Sequence, residues 1–303
     1  MRDATAGPAR VVSVGRNAAW IVFDDERVPR PAGIPKRLAR LSLVTGDRVW
    51  ARPLEEGRAL IERREERAFA LLRRTPGGRN KTMAANIDTL AIVTAFDRPP
   101  LHLPMVDELL AFGELHELSG ILIFTKPDLA QRDVLQTVPA LYQGLGYAVM
   151  TINPKARTGV EAVAHALETR HSLLIGQSGV GKSSLFRALG GDSAVGDVSA
   201  SGRGRQTTTS ARLHRFRDGF FIDSPGVGDF ALHPAEGVLG YEWFAEVAYG
   251  FREFRPLGGT CRFRDCTHRR EPDCAVRSAV ASGTVAASRY ESYVFITARE
   301  TER

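Results

Sequence analysis

Residues 176–183 read Gly-Gln-Ser-Gly-Val-Gly-Lys-Ser, and no other stretch of this 303-residue chain limits its fold so sharply. The run satisfies G-x-x-x-x-G-K-[ST], with apolar Ser172–Ile175 before it and a helix-forming run from Lys182 after it, the strand–loop–helix context such a loop requires. Gly176, Gly179 and Gly181 let the backbone wrap around phosphates, Lys182 reaches the outer phosphates, and the Ser183 hydroxyl is offered to Mg²⁺. Gln177, Ser178, Val180 and Ser184 complete the expected nucleotide-binding stretch. An ordinary Gly-rich turn is the alternative reading. Only five of the 41 basic residues are lysines, and Lys126 and Lys182 both fall in nucleotide-type motifs, which suits sites that need a compact ammonium.

Other motifs extend the reading. Asp223-Ser224-Pro225-Gly226 follows apolar Phe220–Ile222, as expected of an acidic strand tip beside Mg²⁺ with Gly226 near a γ-phosphate. Between the two lies GRGRQTTT at 202–209, a basic loop in which Thr208, or alternatively Thr207, offers a hydroxyl to the same metal. Thr125-Lys126-Pro127-Asp128 closes the predicted strand Ile121–Phe124. There Asp128 would accept from guanine N1–H and the exocyclic amine while the Lys126 stem packs along the base, selecting GTP over ATP. A plain Lys-Pro-Asp surface turn is the competing reading. The base-reading turn precedes the phosphate loop, the reverse of the usual order, and a circular permutation accounts for it. Val227 follows Gly226 where a water-orienting Gln would be expected, so intrinsic hydrolysis should be slow; His233 is the in-chain candidate for that role.

The flanks differ from this middle. Residues 10–75 read as short strands (Val11–Val14, Trp20–Phe23, Asp47–Arg52, Ala59–Arg63) suited to a small barrel of OB or SH3-like type. Leu71–Lys81 reads as a linker and places a boundary near 80. Apolar strands then alternate with helices to Ile175, the pattern of a parallel sheet flanked by helices, and Asp218-Gly219 marks a hairpin. Cys261, Cys266, His268 and Cys274 form a Cys₃His set suited to one structural Zn²⁺, with Arg255, Arg262, Arg264, Arg269 and Arg270 around it. Residues 275–299 read as helical. Net charge is +7 over residues 1–80, −4 over 81–250 and +3 over 251–303, so the outer modules are expected to meet a polyanion. No apolar run approaches the roughly 20 residues of a spanning helix and Met1–Arg10 lacks a secretory pattern. A cytoplasmic protein without membrane contact is expected.

The chain resembles the RsgA (YjeQ) family of circularly permuted GTPases. The resemblance rests on AANID at 84–88, TKPD, GQSGVGKSS, GRGRQTTT, DSPGV, CRFRDCTH with EPDCAV, and RYESY at 289–293, and spans about 75 to 295. It implies a multi-domain α/β protein with three modules: an N-terminal OB-type RNA-binding barrel (1–80), a circularly permuted P-loop GTPase domain (81–232) and a C-terminal zinc-binding helical domain (233–303). It further implies GTP hydrolysis to GDP, with binding to the small ribosomal subunit and its rRNA late in subunit maturation. A monomer is expected. Thr125 stands where the family has Asn, and Asn153-Pro154 stands where many GTP-binding proteins carry a Ser-Ala pair touching guanine O6. Two other classes compete: an RNA-binding assembly chaperone that holds GTP without hydrolysing it, and an ATP-dependent kinase, which Asp128 disfavours.

Overall fold

The computed structural model describes residues 5–15, 18–39, 42–74, 80–190, 211–223 and 241–298. In chain order the elements are β1 (Gly7–Val14), β2 (Ala18–Phe23), β3 (Arg30–Gly33), α1 (Lys36–Ala39), β4 (Arg48–Pro53), β5 (Ala59–Arg64), β6 (Ala70–Arg74), β7 (Asn80–Ala85) and β8 (Thr89–Ala95). There follow α2 (Leu103–Leu115), β9 (Ser119–Thr125), α3 (Arg132–Gly144), β10 (Ala148–Ile152), α4 (Val160–Leu167), β11 (His171–Ile175) and α5 (Lys182–Ala188). The last are β12 (Arg212–Phe216), β13 (Gly219–Asp223), α6 (Tyr241–Tyr249), α7 (Ala275–Ala281) and α8 (Ala287–Ala298). They fall into two compact units, one drawn from residues 1–89, 154–175 and 182–227, the other from 90–153, 176–181 and 228–303.

In the first unit, β1–β5 close into a barrel in the order β1-β2-β3-β5-β4. Its β3–β5 pair is parallel and its other pairs antiparallel. This five-stranded Greek-key closure is the OB arrangement, which decides between the two barrel types the strand spacing allowed. Period-2 alternation turns Val11, Ile21, Val49, Ala51 and Ile61 inward to a core at most 1% exposed. β3 escaped the sequence reading because Pro31 and Gly33 are poor strand formers. The stretch expected to be a linker is instead largely structured: β6 and β7 pair antiparallel, Leu71 opposite Ala84. Their apolar residues are short runs flanking a Pro/Gly cluster, and that composition hid the pairing. β11, β13 and β12 follow in that order; β11–β13 is parallel and β12–β13 is the expected hairpin. Within this unit the buried Thr45 hydroxyl donates to the Ala211 carbonyl at 2.8 Å, and Arg215 donates to the Asp24 and Glu26 carbonyls.

The second unit orders its strands β10-β9-β8. All seven residues of β8 are buried, and its Leu90–Val93 core is the apolar run of a strand covered on both faces. The segment read as helical from 275 holds two helices, α7 and α8, separated at Gly283, whose φ is +76°. α8 is anchored by Arg289, fully buried, which reaches Asp107 of α2 at 2.6 Å and Glu253 at 2.6 and 3.1 Å. Burial opposes the Arg289 charge, but the two carboxylates outweigh it and raise its pKa.

Candidate nucleotide-binding loops and metal knuckle

β9 and β10 run parallel with Ile152 paired to Thr125, so Lys126–Asp128 and Asn153 leave neighbouring strand ends side by side. Lys126 takes the left-handed conformation (φ 55°, ψ 50°) and Pro127–Leu129 make one 3₁₀ turn, closed by Leu129 N–H donating to the Lys126 carbonyl at 3.0 Å. The turn is tied to the phosphate loop. The buried Thr125 Oγ1 lies 2.5 Å from the Val180 carbonyl and 3.2 Å from that of Thr94, so Thr125 braces the turn against the phosphate loop. Lys126 Nζ donates to the Gly179 carbonyl at 2.9 Å and also to that of Arg98. Asp128 stands exposed at the mouth of the turn and accepts from Asn153 Nδ2 at 3.1 Å. Gly176 is obligatory: at φ +151° a Cβ would lie 2.0 Å from the Val93 carbonyl oxygen. Ser178 and Gly179 are exposed, Gln177 is half-buried and Val180 is buried.

In the other unit, β11–β13 register sets Asp223 beside Leu174, and Lys182 opens α5 with Ser183 exposed and Ser184 half-buried behind it. Burial pushes the Lys182 ammonium below its ordinary pKa and the Asp223 carboxyl above its own, each opposed by the other's charge. An ammonium partly stripped of water beside one carboxylate is suited to receiving further negative charge. Thr207, Thr208, Ser224, Pro225, Gly226, Val227 and His233 lie outside the described residues.

The four predicted metal ligands converge. One donor atom from each of Cys261, Cys266, His268 and Cys274 lies within 4.8 Å of the others. Cys261 Sγ and Cys274 Sγ are each 3.5 Å from His268 Nδ1 and 4.0 Å from one another. Tetrahedral bonds of about 2.3 Å to sulfur and about 2.0 Å to nitrogen imply ligand–ligand edges of roughly 3.5–3.8 Å, so the donor set fits zinc. Glu271 was missed at the sequence level. Its carboxylate accepts from Thr267 N–H (3.0 Å), Thr267 Oγ1 (2.5 Å) and the Arg269 and Arg270 N–H groups (3.1 Å each). Burial alone would raise it, but these bonds bring its pKa down to about 2. From α8, the Tyr290 and Tyr293 hydroxyls donate to the His268 and Thr267 carbonyls at 2.8 and 2.7 Å.

A TKPD turn that precedes the GQSGVGKS loop in the chain and is tied to it is the arrangement expected of a circularly permuted P-loop GTPase. The RsgA GTPase family model matches residues 64–233. Curated relatives named small ribosomal subunit biogenesis GTPase RsgA include those of Klebsiella pneumoniae (strain 342), 39% identical over 267 residues, and Chromohalobacter salexigens, 40% identical over 257 residues. Each alignment covers 83% of this chain and 73% of the relative. The chain belongs to the RsgA GTPase family. Among solved structures, YjeQ from Thermotoga maritima is similar with a TM-score of 0.77 and 30% identity, covering 99% of this chain and 100% of that one. YloQ, described as a circularly permuted GTPase, shares the fold at TM-score 0.74 and 21% identity, covering 100% and 98%. Two side chains, Asn153 and Glu271, were not among the residues assigned a role from the sequence. Strand register was the cue to the first and the Glu-Pro-Asp-Cys spacing to the second.

Proposed function

We propose that this protein hydrolyses GTP to GDP and phosphate while bound to rRNA of the small ribosomal subunit, late in that subunit's maturation. The observation that carries the reading is the pair of ties from Thr125 and Lys126 to Val180 and Gly179, which join a base-reading turn to a phosphate loop. The relatives' names supply the ribosomal setting.

In this reading Thr125, Lys126, Pro127 and Asp128 bind guanine, and residues 176–184 cradle the phosphates. Lys182 neutralises charge on the outer phosphates, Ser183 and Thr208 hold Mg²⁺, Asp223 steadies its shell and Gly226 meets the γ-phosphate. His233 orients the attacking water. Cys261, Cys266, His268 and Cys274 hold one structural Zn²⁺. The assignment of modules is 1–80 to the RNA-binding barrel, 81–232 to the GTPase domain and 233–303 to the zinc domain, in a cytoplasmic monomer; among the described residues no helix is long and apolar enough to cross a membrane. The basic flanks suit an RNA partner. Phosphate release from GTP, measured with and without purified small subunits, is expected to rise on their addition; absence of turnover in both conditions overturns the reading in favour of a non-hydrolysing chaperone. Loss of stimulated turnover in His233→Ala, with nucleotide affinity retained, is expected.

A further inference from the structure

We infer that Asn153 reads the O6 edge of guanine, and that Asp128 fixes the direction in which it does so. The inference rests on the guanine-binding role proposed for Asp128. Guanine presents an acceptor (O6) and then two donors (N1–H and the 2-amino group) along one edge, whereas adenine presents a donor and then an acceptor. Asp128 answers the two donors and leaves O6 to another group. A backbone N–H just beyond the strand that parallels the base-reading strand would serve, but Pro154 has none.

The side chain beside it supplies the donor. Ile152 pairs with Thr125, so Asn153 emerges one residue past the strand end, level with the turn, and its Nδ2 reaches Asp128 Oδ1 at 3.1 Å. A carboxylate only accepts hydrogen bonds, so the amide atom facing it is the nitrogen. When guanine N1–H meets Asp128, O6 lies next to that carboxylate oxygen, and two neighbouring acceptors require a donor between them. The two hydrogens of Nδ2 fit that place, one on each oxygen. Turning the amide over to present Oδ1 to the 6-amino group of adenine would set that oxygen against Asp128. The pair therefore selects a carbonyl at position 6, and a mismatched polar edge is rejected strongly.

Calorimetric titration of the full chain with GDP, 6-thio-GDP, IDP and ADP tests this. Sulfur at position 6 accepts hydrogen bonds poorly, and IDP lacks only the 2-amino group. The wild type should bind GDP about tenfold more tightly than 6-thio-GDP, the scale of one lost hydrogen bond. Asn153→Ala should bind GDP about tenfold more weakly and treat GDP and 6-thio-GDP alike, while its discrimination against IDP, which Asp128 provides, stays as in the wild type. An unchanged ratio of GDP to 6-thio-GDP in the variant overturns the role of Asn153. Should that variant fail to fold, Asn153→Ser, whose hydroxyl is too short to span both oxygens, is expected to show the same flattened ratio, and a wild-type ratio there has the same overturning force. Asp128→Ala separates the two levels. Equal GDP and ADP affinities in it uphold the guanine-reading turn whatever Asn153 does, whereas retained preference for GDP removes that turn and this inference with it.

Discussion

The Thr125–Leu129 turn, for which a base-reading role is proposed, and the Cys₃His knuckle are both loops, yet they are held in place by opposite means. Thr125–Leu129 grows from a parallel strand end, and its fixing contacts go to carbonyls of the strand β8 (Thr94) and of two loops (Arg98, and Gly179 with Val180). The segment Cys261–Cys274 has no helix or strand; it is held by the clustered side chains of Cys261, Cys266, His268 and Cys274, by Glu271 within it, by Arg277 of α7 and by two tyrosines of α8. A scaffold-borne loop loses function before it loses structure. A loop whose order resides in a few ligands loses both at once.

That contrast can be broken at the knuckle first. Chelation of the metal, or Cys274→Ser, is expected to lower the melting temperature by on the order of 10 °C, read by calorimetry with metal content measured alongside; an unmoved transition would show that the knuckle is ordered without its ion. Next comes the support behind it. Arg289→Leu strands Asp107 and Glu253 in the interior and should cost about 3–5 kcal/mol in urea unfolding, and it should loosen the knuckle because Tyr290 and Tyr293 share its helix. At the scaffold-borne loop, Thr125→Val should weaken GDP binding by about tenfold with a shift in melting temperature of no more than about 2 °C, whereas Thr125→Asn should keep the brace. The smallest effect calibrates both regions from outside. Burial among Phe186 and Phe221, with Arg212 adding to it, lowers the His214 pKa from 6.5 to about 4. The unfolded chain therefore takes up the proton first. Stability associated with His214 is full above about pH 6.5 and declines as pH falls towards about 4. His214→Phe should flatten that part of the stability–pH curve.

Local chemistry determined what the sequence disclosed. The phosphate loop, the TKPD turn and the Cys₃His set were legible because each concentrates unusual residues at fixed spacing, and β8 because Leu90–Val93 are four successive apolar residues. β6 and β7 were not, since their pairing crosses a Pro/Gly cluster that reads as a linker. The break between α7 and α8 was missed because the Ala-rich and Ser-rich residues around Gly283 tolerate a helix nearly as well as a turn. Asn153 drew attention only as a departure from a motif. Its meeting with Asp128 depends on the register of β9 with β10, a property of two strands that neither segment carries alone.

One contact constrains how this protein can be taken apart. Gly46 sits in the barrel turn at φ +90°, and a Cβ there would lie 2.1 Å from the Ala85 carbonyl oxygen, while Ala85 N–H donates to the Thr45 carbonyl at 2.9 Å. The barrel and the end of the β6–β7 ribbon are thus seated flush, with no clearance for even a methyl group. A chimaera that exchanges the barrel by cutting near residue 80 would separate the two halves of that seat, whereas a junction placed beyond Ala85 would transplant it whole.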